Sequence, residues 1–152
     1  MHKEAALRLG IVDEAEDTFS AIEKADLVIL AVPVDTTLNL LPKVLDAVTH
    51  QIVIDVCSTK GNLGERIKYH HNRKNYVGTH PMAGTEFSGP WAAMSGLFDG
   101  RAVILSDVED ASQEAVEKVK ELYECLNMRP LFMNSYNHDV HAAYVSHISH
   151  LS

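Results

Sequence analysis

The sequence of 152 residues lacks several features that would define a protein class immediately. It has two cysteines, Cys57 and Cys125, which lie far apart and in no CxxC pair. This excludes a disulfide scaffold and is typical of a reduced, cytoplasmic protein. The longest wholly apolar run, residues 27–34, has eight residues, whereas a membrane-spanning helix needs about 20. We therefore expect a cytoplasmic protein with no membrane segment in these residues.

Basic residues are also scarce. Lys and Arg number 13 against 21 Asp and Glu, which gives a formal net charge of −8. An acidic chain without a basic stripe is poorly suited to nucleic acids or anionic membranes. We expect neither as a partner. At 46% hydrophobic and 22% charged residues, the composition is that of one ordinary folded domain.

The glycine-rich fingerprint GxGxxG of dinucleotide-binding folds is missing as well. Gly61 and Gly64 match neither that motif nor a Walker loop. A dinucleotide site would therefore lack its pyrophosphate-binding turn within this chain.

Strand-like and helix-like patterns alternate along the chain. Continuous apolar runs without polar alternation are typical of strands that are buried on both faces of a parallel sheet. Strands are predicted at 27–32, 52–56, 76–77, 102–105 and 130–133. Helices are predicted at 4–9, 18–24, 35–48, 63–71, 113–126 and 135–151, with Gly10 as a C-cap and Pro42 as a kink or break. The pattern predicts an α/β fold with a mainly parallel sheet.

Both ends of the chain fall inside helical patterns. No strand precedes the first helix, and no Gly or Pro ends the last one. We expect the sequence to be an internal piece of a longer protein.

The carboxyl ends of parallel strands are where ligands bind in open α/β sheets. Polar or conformationally special residues follow three of the predicted strands, at 31–33, 55–61 and 78–86. Among them His80 stands just before Pro81, which favours an extended backbone. An imidazole, with an ordinary pKa near 6.5, suits proton transfer at neutral pH. His80 is thus the leading catalytic candidate, with a structural loop histidine as the alternative.

Other residues of these loops have weaker signals. Ser58 could orient a cofactor amide or a substrate hydroxyl, and Lys60 could neutralise a phosphate or carboxylate. Loop capping and a solvated charge are the respective alternatives. Asp55 is interpreted as an acceptor that organises the loop, and Cys57 as a small buried residue.

Histidines cluster near the end of the chain. Two pairs have i, i+3 spacing, which places each pair near one helical face: His138, His141, His147 and His150. A metal site would need a third ligand, and no HExxH motif is present. We expect no metal.

Three segments together resemble prephenate and arogenate dehydrogenases. They are Asp-Val-Cys-Ser-Thr-Lys at 55–60, Gly-Thr-His-Pro-Met-Ala-Gly-Thr-Glu at 78–86 and Ser-His-Ile-Ser-His at 146–150. The Ala31-Val32-Pro33 turn fits too, although many Rossmann dehydrogenases share it. The resemblance covers essentially the whole chain, and the His-Pro-Met-Ala-Gly-Thr-Glu block is its most specific part.

The resemblance implies a Rossmann-like domain at 1–134, without its first strands, and the start of a helical dimerisation domain at 135–152. It implies a homodimer that acts on a small molecule. The implied reaction is the NAD(P)-dependent oxidative decarboxylation of prephenate to 4-hydroxyphenylpyruvate, or of arogenate to tyrosine, in tyrosine biosynthesis.

Site residues are implied by the same motifs. His80 would take the proton of the substrate ring hydroxyl as hydride leaves for the nicotinamide. Ser58 would help to orient both partners. The substrate pocket would involve His150, Ser146 and Glu86, and the cofactor, NAD or alternatively NADP, would contact Ala31, Val32, Pro33 and Ser58.

Departures from the family pattern leave alternatives open. The glycine fingerprint and most of the helical domain are not in the sequence, and Ser149 stands where many relatives have proline. The family's first strand would pair beside 27–32, so we expect the isolated chain to be inactive, and to self-associate or bind NAD very weakly. The alternatives are a 3-hydroxyacid-type dehydrogenase and a catalytically incomplete binding or regulatory relic.

Overall fold

The computed structural model describes residues 2–84 and 87–151, with the backbone alone for 145–151. Its helices are α1 (His2–Arg8), α2 (Thr18–Lys24), α3 (Val34–Ala47), α4 (Gly61–Ile67), α5 (Gln113–Cys125) and α6 (Ser135–Leu151). Its strands are β1 (Leu27–Leu30), β2 (Ile52–Asp55), β3 (Tyr76–Pro81), β4 (Ala102–Ser106) and β5 (Arg129–Met133). The predicted α/β class is confirmed.

The five strands form one sheet in the order β1-β2-β3-β4-β5. All neighbouring pairs are parallel except β3 and β4, which are antiparallel. The prediction of a mainly parallel sheet is therefore confirmed. Because β5 is parallel to β4, the last two strands both run opposite to β1, β2 and β3.

Helices cover both faces of this sheet. On one face, α2, α3 and α4 pack a cluster that includes Ile22, Leu41, Leu45, Leu63 and Ile67. On the other, α5 contributes Ala115, Val119 and Tyr123. Burial of these apolar side chains is the main force that holds the layers together.

The first two strands differ in burial because of their positions in the sheet. All four residues of β2 are buried, as predicted for a strand covered on both faces. β1 lies at the edge, and Ile29 is 49% exposed. The predicted two-sided burial of 27–32 is met only in part, and self-association through this edge remains a prediction.

The sequence signals at Pro42 and Gly10 have different outcomes in the structure. α3 runs through Pro42 as one helix, so the predicted break there is wrong. Its apolar face buries Leu41, Val44 and Leu45, and this packing offsets the one backbone hydrogen bond that proline removes. Gly10 has φ +65°, as expected of a C-cap.

Polar side chains cap the first turns of α5 and α6. Ser112 caps α5, because its side chain accepts from the Ala115 amide at 3.2 Å. Asn134 caps α6, because its side chain accepts from the Asn137 amide at 2.8 Å.

None of the helices in the described residues is long and apolar enough to cross a membrane.

Candidate active site

The carboxyl ends of β1, β2 and β3 lie side by side. Leu30 pairs with Asp55, and Asp55 pairs with Gly78, all in parallel register. The sheet therefore brings together the loops that sequence analysis singled out separately. We call the edge formed by residues 31–33, 56–61 and 79–84 the rim.

The turn after β1 is anchored to the loop after β2. The Cys57 thiol donates to the carbonyl of Val32 at 3.6 Å and to the Thr37 hydroxyl at 3.3 Å. Burial raises the pKa of this thiol, so Cys57 is protonated at neutral pH and supports the turn. This agrees with its interpretation as a small buried residue.

The predicted cofactor residues lie on the open side of that anchor. Ala31, Val32 and Pro33 are exposed, and Ser58, one residue after Cys57, is exposed too. An apolar turn therefore stands next to a hydroxyl at the rim.

A buried ion pair lies beneath the rim. The side chains of Asp55 and Lys60 are 0% and 1% exposed and bond to each other. Asp55 also accepts from the Cys57 amide at 2.8 Å and from the Tyr76 hydroxyl at 2.6 Å. Asp55 is thus the loop-organising acceptor that was predicted. Lys60, expected to be solvated or to face a ligand, instead neutralises this carboxylate.

His80 lies near the end of β3, half-buried, with its backbone in the strand as the following proline favours. Its Nδ1 is 2.8 Å from Nε2 of His138. Within the described part of the chain its Nε2 makes no hydrogen bond. Burial, aided by the nearby His138 and Lys60, lowers the pKa of His80 to about 4. The ring is therefore neutral at pH 7 and keeps one lone pair.

The partner of His80 was missed as such from the sequence. His138 is 1% exposed, and its Nδ1 lies 2.8 Å from Oδ1 of Asp139. Both ring nitrogens are thus occupied, which leaves His138 no place in the metal site weighed for the histidine cluster. The His-Asp pair in the first turn of α6 was the available signal, but spacing alone does not show which strand end it reaches.

Asp139 in turn is fixed by the start of α4. Its carboxylate accepts from the amides of Lys60 and Gly61, each at 2.8 Å. Burial acts to raise the pKa of Asp139, but the hydrogen bonds from His138 and the two amides lower it overall. Asp139 is ionised at neutral pH.

Three predicted substrate residues have no side-chain description. Glu86 lies outside the described residues, and Ser146 and His150, like His147, have only their backbone described, in α6. His141 is exposed. The roles of Glu86, Ser146 and His150 remain predictions.

A second group of possible metal ligands lies on the surface, at α3 and the turn after α4. Ligand atoms of Asp46, His70 and His71 all lie within 4.8 Å of one another. Hydrogen bonds occupy both ring nitrogens of His70, which lie 3.1 Å from Oδ1 of Asp46 and 3.1 Å from the Asn72 amide. These contacts account for the cluster as a structural link.

Known proteins resemble this chain over nearly its full length. The chain is 35% identical over 151 residues to the prephenate dehydrogenase of Bacillus subtilis, covering 97% of this chain and 41% of that protein. The crystal structure of Synechocystis arogenate dehydrogenase has a TM-score of 0.86 and 27% identity, covering 96% of this chain and 52% of that one. Aquifex aeolicus prephenate dehydrogenase, solved with hydroxyphenyl propionate and NAD+, has a TM-score of 0.77 and 28% identity, covering 99% and 57%.

A family model described as the nucleotide-binding domain of prephenate dehydrogenase matches residues 1–131. The chain spans about two fifths of the length of the Bacillus subtilis relative. The chain belongs to the prephenate dehydrogenase family, and its residues 1–131 match the nucleotide-binding domain of that family.

Proposed function

We propose that the protein is an NAD-dependent dehydrogenase that oxidises and decarboxylates prephenate to 4-hydroxyphenylpyruvate. The observation that carries the proposal is His80, which stands at the rim with a neutral ring and an Nε2 that is free of other bonds within the described residues. A neutral imidazole in this position is equipped to accept the proton of a hydroxyl group.

The rim fits the nicotinamide end of NAD. The exposed turn Ala31-Val32-Pro33 offers an apolar surface to a planar ring, and the Ser58 hydroxyl offers a partner to a carboxamide. The family's nucleotide-binding domain, and the Aquifex aeolicus relative solved with NAD+, support the same cofactor. When bound, the nicotinamide accepts a hydride.

In the proposed reaction, His80 and Ser58 have separate roles. Nε2 of His80 takes the hydroxyl proton from the substrate while the carbon that bears this hydroxyl loses hydride. Ser58 orients the hydroxyl. Loss of carbon dioxide then leaves an aromatic phenolate, and its oxygen takes back one proton to become the hydroxyl of 4-hydroxyphenylpyruvate. This aromatisation drives the reaction. The residues thus mainly supply orientation and a proton acceptor.

The resemblance extends the proposal to residues without described side chains. Ser146 and His150 are assigned to the substrate pocket and Glu86 to its entrance. Residues 1–134 are assigned to the nucleotide-binding domain, and 135–152 to the beginning of a helical domain through which the protein forms a homodimer.

Arogenate is the second candidate substrate, because the Synechocystis structure with a TM-score of 0.86 is that of an arogenate dehydrogenase. The two substrates share the ring hydroxyl that His80 addresses and differ in the side chain. Their ring chemistry is therefore the same in this proposal.

The test is substrate-dependent reduction of NAD+ and NADP+ by the natural polypeptide that carries this sequence. Prephenate and arogenate are compared side by side, and reduced nicotinamide is followed by absorbance. We expect turnover with NAD+ and prephenate. Turnover with arogenate alone would transfer the proposal to the second substrate. A folded polypeptide that reduces neither cofactor with either substrate would contradict the proposal and favour the relic.

A further inference from the structure

We infer, on the basis of the function proposed above, that His138 and Asp139 are positioning residues: they fix the tautomer of His80 and share the proton that it accepts. The three side chains form one continuous line. Nδ1 of His80 lies 2.8 Å from Nε2 of His138, whose Nδ1 lies 2.8 Å from Oδ1 of Asp139. The two rings meet edge to face, with centroids 5.1 Å apart.

The carboxylate at the end of the line decides where the protons are. An ionised carboxylate only accepts hydrogen bonds, so Nδ1 of His138 must be the donor to Asp139. Nε2 of a neutral His138 then carries a lone pair and accepts from Nδ1 of His80. This leaves the lone pair of His80 on Nε2, where the proposed reaction needs it.

The same line offers a place for the accepted proton. Nε2 of His80 takes the hydroxyl proton, and Nδ1 of His80 passes its own proton to Nε2 of His138. His80 returns to the neutral form, in its other tautomer, and the positive charge rests on His138 beside Asp139. The hydride that leaves the substrate carbon goes to the nicotinamide when it is bound. After carbon dioxide has left, the line returns one proton to the ring oxygen, so the reaction balances.

This transfer moves the positive charge away from His80, whose surroundings disfavour a cation. With a pKa lowered to about 4, His80 is a weak resting place for a full positive charge at neutral pH. His138 adjoins a carboxylate, and an imidazolium gains more from that contact than a neutral ring does. The titratable groups around His80 are His138 and Lys60, which oppose a cation there, and Asp55 and Asp139, which favour one.

Several hydrogen bonds fix the position of the Asp139 carboxylate. Besides its contact with His138, it accepts hydrogen bonds from the backbone amides of Lys60 and Gly61. These two residues are 79 and 78 positions away in the sequence. A Cβ on Gly61 would come within 2.9 Å of Oδ2, so glycine at that position allows the close approach.

The direct test is long-range proton–nitrogen NMR of the histidine rings in this chain, which needs neither cofactor nor substrate. At pH 7 we expect a protonated Nδ1 and an unprotonated Nε2 in His80. In Asp139→Ala, His138 loses the acceptor that holds its proton on Nδ1. Nε2 of His138 can then carry the proton and donate to Nδ1 of His80, so we expect protonation of His80 to move towards Nε2.

Matched controls are available in the same fold. His141→Gln changes an exposed histidine of the same helix, and Asp46→Asn removes a carboxylate that contacts a surface histidine. Neither is expected to alter the His80 signals. Amide spectra establish that each variant is folded, and His138→Gln provides a second variant if Asp139→Ala is not.

Turnover of the natural polypeptide provides the second readout. We expect Asp139→Ala to lower kcat roughly 100-fold with little change in KM, within the 10²–10⁴ that a general base contributes. His138→Gln, whose amide oxygen still accepts from Nδ1 of His80, should retain the His80 tautomer but lower kcat, because an amide cannot take up the proton.

The outcomes separate this inference from the proposed function. If His80 carries its proton on Nε2 in the unmodified chain, or if its tautomer is the same in Asp139→Ala, the inference is wrong even where turnover is observed. If the tautomers behave as expected and no substrate is turned over, the inferred positioning of His80 holds and the proposed function fails.

Discussion

Nδ1 of His80 lies 2.8 Å from Nε2 of His138, although 58 residues separate the two histidines in sequence. The contact follows from the course of α6. Its start lies near Gly64, where a Cβ would be 3.5 Å from the Ser135 hydroxyl, and one turn later Asp139 reaches Gly61. α6 therefore runs antiparallel to α4 and carries His138 towards the rim.

His138 should influence the titration of His80. After burial, the proximity of His138 is the next largest cause of the lowered His80 pKa. We expect His138→Gln to raise that pKa above about 4, but not to the ordinary value near 6.5, because the burial remains. An NMR titration of the His80 ring measures this, and His141→Gln should leave the curve unchanged. An unchanged curve in His138→Gln would show that the two rings are not coupled.

His80 should also make stability depend on pH. Its pKa is about 4 in the folded chain and near 6.5 when unfolded, so the unfolded state binds more protons between these values. Stability is complete above pH 6.5 and is lost as pH falls towards 4. For this group alone, the free energy of unfolding should fall by about 2 kcal/mol from pH 7 to pH 5.

Urea unfolding of the wild-type chain and His80→Gln at both pH values checks this expectation. The variant lacks the titrating ring, so its loss of stability between pH 7 and pH 5 should be smaller than that of the wild type. Equal losses in both proteins would contradict the lowered pKa.

The buried ion pair beneath the rim should be sensitive to removal of either partner. Asp55→Asn or Lys60→Met leaves one charge buried without its counter-ion, which costs about 3–5 kcal/mol in free energy of unfolding. Chemical denaturation measures the loss. Lys68→Met breaks an exposed pair with Glu65 and should cause no measurable change. A Lys60→Met variant as stable as the wild type would show that the pair is not needed for folding.

Gly78 should resist substitution because of its position between β2 and β4. A Cβ there would collide with the hydroxyl of Ser106 and come within 3.2 Å of that of Tyr76. We expect Gly78→Ala to destabilise the chain by about 1–3 kcal/mol, as overpacking commonly does. Ser106→Ala in the same chain should recover part of the loss. Gly84→Ala, where a Cβ meets nothing within 4 Å, serves as the control in thermal unfolding.

The sequence was most informative where the pattern was local. Apolar runs and helical spacing predicted β2, α2 and α3, and the rule of strand ends brought Ser58 and His80 to one edge. Burial and pairing were harder to foresee. The burial of the Lys60 side chain and the contact of His138 with His80 depend on chain segments that meet only in the folded protein. The residue spacing within a single segment therefore could not predict either of them.

The central claim is that His80 accepts the substrate proton, and the kinetics of His80→Asn in the natural polypeptide test it most directly. Asparagine keeps a polar side chain but cannot act as a base at neutral pH. With prephenate and NAD+, we predict that kcat falls by roughly 10²–10⁴ while KM changes little. A variant with wild-type kcat would contradict the assignment of His80 as the proton acceptor.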